Sequence, residues 1–274
     1  MSNIRQRKVI RRFKKVGIIL ISLYILVGAL IYFTQEKMLF YKMELPQDYT
    51  YTFSYPFEEL FFKTEKDAVI NAIHFKVKTP KGVILYFHGN GSNLPRLEKI
   101  SGYFIEKGYE VLIMDYRGYG KSTGVLSEGA FYNDAQYCYN YLKAHYDESD
   151  IILYGRSIGT GIATFLASEN NPQQLILEAP YHSIEDVANR RFPIYPTKGM
   201  LKYKFPSFKY ISNVKCPISI FHGTDDFVIS FKSGKRLFSD APKALATFIE
   251  IEGGRHTNLN HFKAYHNQMA KLLP

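Results

Sequence analysis

Five residues, Gly155-Arg156-Ser157-Ile158-Gly159, fit the pattern G-x-S-x-G and stand between an apolar run ending at Tyr154 and a stretch of helical composition. A serine on so sharp a strand-to-helix turn presents its hydroxyl above a sheet, where it can attack a carbonyl. Glycines on either side remove the side chains that would block the turn. An ordinary glycine-rich turn with an idle serine has the same five letters, so the assignment needs partners. Serine is a poor nucleophile at neutral pH without a base, and the base needs a carboxylate to orient it. Of eight histidines, His74 falls within a predicted strand, while His88 and His222 precede glycine at strand ends and are expected to shape backbone. His145 and His182 are expected in loops or at the surface, and His261 and His266 on the last helix. His256 follows the last predicted strand directly, at its carboxyl end, and is the expected base. The carboxylate is expected from the loop after residues 218–221, which reads His222-Gly223-Thr224-Asp225-Asp226. Two candidates stand there side by side, one of them a turn or cap residue. A fourth element, His88-Gly89-Asn90-Gly91-Ser92-Asn93, follows the apolar run 83–87. Its glycines let backbone amides face a pocket, so the N–H groups of Asn90 and Ile158 are expected to hold a developing oxyanion.

These groups can meet only if they lie at one end of a sheet. Residues 69–76 alternate in the period-2 manner of a strand, and 83–87, 111–114, 151–154, 175–177, 218–221 and 248–251 are short continuous apolar runs. Such runs suit strands buried on both faces. Helical stretches at 94–107, 130–145, 158–168, 231–238 and 261–273 alternate with them, which implies a mostly parallel central sheet with helices on both faces. Ligands on such sheets bind at the carboxyl ends of the strands, where all four candidate elements fall.

Ahead of this domain stands a separate problem. The chain carries a net charge of +10, but Arg5, Arg7, Lys8, Arg11, Arg12, Lys14 and Lys15 supply seven of those charges. The remainder is close to neutral, so the high pI argues for no nucleic-acid partner. Residues 16–33 then run without a charge and as a helix would span about 27 Å, near the thickness of a bilayer core. The run is too long for a signal-peptide core and lacks a clear cleavage site. The expected plan is a basic cytoplasmic tail (1–15), a transmembrane anchor (16–34), a juxtamembrane linker (35–59) and a catalytic domain (60–274). The lysine and arginine bias places the N-terminus in the cytosol and the domain on the non-cytoplasmic side. No catalytic element is expected in residues 1–34. Cys138 and Cys216 are too few for a disulfide framework and have no metal-ligand spacing.

Taken together, the loop HGNGSN, the run Asp115-Tyr116-Arg117-Gly118-Tyr119-Gly120-Lys121-Ser122, the elbow GRSIG, the loop HGTDD and the final Gly-x-His resemble the membrane-anchored, Bem46-like α/β-hydrolase-domain proteins. The resemblance covers about residues 60–274 and includes the N-terminal anchor. It implies the α/β-hydrolase fold, puts Asp115 in a structural turn, and selects Asp226 over Asp225 as the triad acid. Ser230 stands where relatives carry proline, a departure that should alter the turn and not the chemistry. The expected mechanism is acyl transfer: His256 takes the Ser157 proton, Asp226 orients the imidazole, and water resolves the acyl-enzyme. No metal or organic cofactor and no obligate protein partner is implied. Residues 181–213, basic, aromatic and broken by Pro193, Pro196 and Pro206, fall where relatives place a lid and are expected to form a short cap. The cap and the anchor together suit an apolar acyl ester or thioester. Peptide or small-ester hydrolysis by the same mechanism, or a non-catalytic tethered binding module, are the alternatives.

Overall fold

The computed structural model describes residues 2–274, with side chains from Gln6 onward. Met1 and the side chains through Arg5, the first charge of the basic run, lie outside the described residues. The continuous apolar runs form strands β3 (Val83–Phe87), β4 (Glu110–Met114), β5 (Ile151–Arg156), β6 (Gln174–Glu178) and β7 (Ile218–Gly223), buried almost throughout. With β8 (Ala246–Ile251) they pair in parallel. Two further strands, β1 (Phe57–Glu65) and β2 (Ala68–Phe75), extend the β4 edge in antiparallel fashion. The order is β1-β2-β4-β3-β5-β6-β7-β8. Strand β1 has no apolar run to announce it: Glu58, Glu59, Lys63 and Glu65 interrupt it, as suits an exposed edge strand that must resist pairing with another chain.

Each face of the sheet carries its own core. Leu85, Leu153 and Leu177 pack on one side with α3 (Glu128–Lys143) and α4 (Gly159–Glu169). Ile84, Tyr86, Tyr154 and Met269 pack on the other with α2 (Glu98–Ile105) and α9 (Lys263–Leu272). All turns that carry candidate chemistry leave the carboxyl edge, and the register there sets Phe87 opposite Gly155.

Between β6 and β7 the expected cap is built of three short helices, α5 (Ile184–Arg191), α6 (Thr197–Met200) and α7 (Ser207–Ile211). Ser183 caps α5 by accepting from the Asp186 N–H. The remaining helix after the cap, α8 (Phe231–Asp240), is capped by Ser230, which accepts from the Ser233 N–H. Serine there begins the helix with a hydrogen bond where proline would begin it with a fixed φ.

Helix α1 (Ser2–Leu39) is a single 38-residue rod. It runs on past the expected anchor boundary at 34, and β1 begins before the expected linker ends. Its most apolar stretch has a mean hydropathy of 2.6 and is almost entirely exposed, so it is long and apolar enough to cross a membrane. The cap folds back against it. The Tyr24 ring stacks on Tyr195 with centroids 4.7 Å apart, Gln35 Nε2 donates to the Met200 carbonyl at 3.0 Å, and the Tyr203 hydroxyl donates to Glu36 at 3.0 Å.

Candidate active site

Ser157 has φ of +53°, a left-handed conformation rare for a residue with a side chain. The surrounding backbone holds it there: its N–H donates to the Glu178 carbonyl on β6, and its carbonyl accepts from Thr160 N–H. The flanking glycines are required by contact. A Cβ on Gly155 would lie 2.7 Å from the Gly159 carbonyl oxygen, and one on Gly159 would lie 2.2 Å from the Phe87 carbonyl oxygen. Gly159→Ala therefore has to separate α4 from β3 and should cost about 3 kcal/mol or more. A melt followed by circular dichroism is expected to show a midpoint lower by roughly 6 °C or more, and an unchanged midpoint would contradict this account of the turn.

The elbow aims its hydroxyl at the loop after β8. Ser157 Oγ is 2.8 Å from His256 Nε2, and His256 Nδ1 is 2.8 Å from Asp226 Oδ2. With the ring proton on Nδ1, His256 donates to the carboxylate and its free Nε2 accepts from the serine, the arrangement a general base requires. Asp226 is buried, and its other oxygen accepts from the N–H groups of Val228 and Ile229, both at 2.9 Å. Asp225 beside it is exposed and turned away. His222 braces this loop, with Nε2 donating to the Ile229 carbonyl at 3.0 Å. Burial lowers its pKa, so it stays neutral and donates without adding charge beside Asp226.

His88 plays the matching part in the loop after β3. Its Nδ1 donates to the Gly89 carbonyl at 2.8 Å. A trans peptide points its C=O and N–H in opposite directions, so fixing the Gly89 carbonyl inward turns the Asn90 N–H toward the cavity. Neither that N–H nor the one of Ile158 has an acceptor among the described residues. The Asn90 side chain is a contact that the sequence did not announce: Oδ1 accepts from Tyr41 N–H at 2.7 Å, Gly91 N–H at 2.9 Å and the Tyr119 hydroxyl at 2.9 Å. Asp115 lies beneath, fully buried, and accepts from the Leu94 N–H. Burial raises its carboxyl pKa. It touches no part of the Ser157 relay.

Ser157 and His256 open into a cavity of about 1070 Å³. One wall is the cap, including Val187, Phe192 and Met200, and another is α1 itself through Ile31, Tyr32, Gln35, Met38 and Leu39. No catalytic element is expected in residues 1–34, and Ile31 and Tyr32 carry no reactive group, but they line the cavity. Arg96, Arg156, Arg190 and Arg191 also line the cavity, whereas no aspartate or glutamate does among the described residues. Arg156 is engaged by Glu178 at 3.2 Å. The other three have no carboxylate partner among the described residues.

Comparison with solved structures matches this fold to that of an esterase from Pyrococcus furiosus with a TM-score of 0.65 and 17% identity, covering 82% of this chain and 96% of that one. A soluble variant of monoglyceride lipase from Saccharomyces cerevisiae matches with a TM-score of 0.62 and 19% identity over 84% and 98% of the two chains. The family model described as serine aminopeptidase, S33, matches residues 78–210. The chain is a member of the α/β-hydrolase superfamily. Among curated relatives, this α/β-hydrolase is 32% identical to the lysophosphatidylserine lipase ABHD12 of Macaca fascicularis, over 59% of its own length and 46% of the relative's. It is 33% identical to the α/β-hydrolase domain-containing protein aho-3 of Caenorhabditis elegans, over 69% and 57% respectively. The chain spans about half the length of the curated relatives it matches.

Proposed function

We propose that this chain is a membrane-anchored serine hydrolase that cleaves a carboxylic ester or thioester of an acyl chain joined to an anionic head group. Ser157 Oγ attacks the carbonyl carbon as His256 Nε2 removes its proton, and the carbonyl oxygen, now negative, is held by the N–H groups of Asn90 and Ile158. The imidazolium, steadied by Asp226, returns the proton to the departing alcohol or thiol. Water, deprotonated by the same nitrogen, then releases the acid and restores the serine. The observation that carries this reading is the relay of 2.8 Å contacts from Ser157 through His256 to Asp226 at the mouth of one large cavity.

The lining of that cavity favours an ester over a peptide. An aminopeptidase must hold an α-ammonium group, which calls for a carboxylate, and here the charged lining is made of guanidinium groups that would repel it. Guanidinium groups pair with phosphate and carboxylate, and the apolar walls suit an acyl chain. Relatives named as lysophosphatidylserine lipases agree with this chemistry. For α1 we propose the role of single-pass anchor, with the basic end in the cytosol and the domain beyond the membrane. Protease applied to the non-cytoplasmic face should digest the domain, and digestion only from the cytosolic face would reverse the orientation.

The catalytic reading is tested by reacting the protein with a fluorophosphonate probe and mapping the adduct, which is expected on Ser157. A series of acyl esters of increasing chain length, each with an anionic or a choline head group, should show kcat/KM rising with length and about tenfold higher for the anionic head. Equal rates for the two heads would remove the head-group assignment. An unlabelled Ser157 would leave a tethered binding module.

A further inference from the structure

The cap tip, residues 192–196, reads Phe-Pro-Ile-Tyr-Pro and reaches α1 in the middle of its apolar stretch. Tyr195 stacks on Tyr24 with an interplanar angle of 5°, and its hydroxyl donates to the Tyr24 carbonyl at 3.2 Å. The Tyr24 hydroxyl donates to the Ile194 carbonyl at 2.9 Å. Gly28 lies under the same ring, where a Cβ would stand 3.0 Å from Tyr195 Cε1. Tyr24 is nine residues inside the end of the uncharged run at Phe33, about 14 Å along the helix axis, which is close to the depth of one leaflet of the hydrocarbon core. A segment at that depth must satisfy its backbone polar groups without water. This one meets most of that demand, with the Ile194 N–H the group that has no acceptor among the described residues. Two of its five residues are prolines without an N–H, the Tyr195 N–H donates to the Phe192 carbonyl, and the Ile194 carbonyl is taken by Tyr24. The Ile194 side chain is 70% exposed, which in water would be an unfavourable place for a large apolar group and in lipid is not. Phe192 and Tyr195 of this tip line the cavity that holds Ser157, together with Ile31 and Met38 of α1.

We infer that the cap tip is immersed in the leaflet beside α1 and that the two together form a side entrance. Through it the acyl chain of a lipid-resident ester passes from the bilayer to Ser157 without crossing water. The anchor then sets acyl-chain length as well as location. This inference rests on the reading of Ser157 as nucleophile for the passage of substrate, though not for the depth of the cap.

The sequence contains no tryptophan, so Ile194→Trp in the full chain introduces a unique fluorophore at the tip. Reconstituted in vesicles, that variant should emit at short wavelength, be quenched by lipids brominated along the acyl chain, and resist aqueous iodide. Quenching by iodide with no effect of brominated lipid would overturn the immersion. In a second variant, Ile31→Trp narrows the wall, and the ratio of long-chain to short-chain ester turnover should fall by about tenfold or more. Taking the ratio cancels any general loss of activity. An unchanged ratio would overturn the role of α1 as pocket wall. Absence of fluorophosphonate labelling in the unsubstituted protein would instead overturn the hydrolase reading, whatever the depth measurement gave.

Discussion

Ser157→Ala is expected to lower ester turnover by about 10⁶, the loss found when the nucleophile of a comparable triad is removed, and to abolish labelling by a fluorophosphonate. The fold should be untouched. Alanine keeps the Cβ of serine, so the residue at φ +53° carries the same strain before and after the change. The only bond lost from the side chain is the one to His256 Nε2. Because the N–H groups of Asn90 and Ile158 remain in place, a residual rate of roughly 10³ to 10⁴ over water is compatible with the assignment. Turnover of an activated ester, measured beside a thermal melt, decides it. Retained labelling would move the nucleophile elsewhere.

Asp226→Asn should lower the rate by about 10⁴ while Asp225→Asn leaves it within roughly twofold. The difference follows from what the two oxygens of Asp226 do. Oδ1 accepts two backbone N–H groups, from Val228 and Ile229. An asparagine here must keep its carbonyl on that side, since its amide would face two donors. Its NH₂ is then turned on His256 Nδ1, which can only answer as an acceptor. The ring proton moves to Nε2, and the histidine can no longer take a proton from Ser157. Asp225 offers no such leverage. It is exposed, and the hydrogen bond that places it in the turn comes from its backbone N–H to the Gly254 carbonyl, so the substitution should cost less than about 0.5 kcal/mol of stability. Both variants are to be run against one activated ester, with circular dichroism to confirm folding. The opposite ranking would transfer the acid to Asp225, and full activity in both would place it elsewhere in the chain.

Much of this site could be read from the sequence because its chemistry sits where regular elements end. An apolar run followed by G-x-S-x-G points to the elbow, and the histidine just past the last strand is the one that lies 2.8 Å from Ser157 Oγ. The choice between Asp225 and Asp226 could not be read from composition, since both stand in one turn and only the direction of the side chain separates them. Strand β1 was hidden for a different reason. Its alternation is broken by charges that face solvent at a sheet edge, and a period-2 pattern needs one buried face to be seen. The hardest feature to foresee was the part of α1 in the cavity. Tyr24 and Tyr195 are 171 positions apart, and within the apolar run a tyrosine is only an interruption until its partner carbonyl on the cap is known.

The pairing of Phe87 with Gly155 has a metrical consequence. Asn90 and Ile158 each stand three residues beyond that rung, in the turns that leave two neighbouring strands. The ladder between β3 and β5 thus works as a ruler with both proposed donors at the same mark. Adding or removing a single residue on either side would put one of the two proposed donors out of step with the other. Side chains along these two turns can therefore vary wherever space permits, whereas the number of residues from rung to donor is fixed on both strands at once.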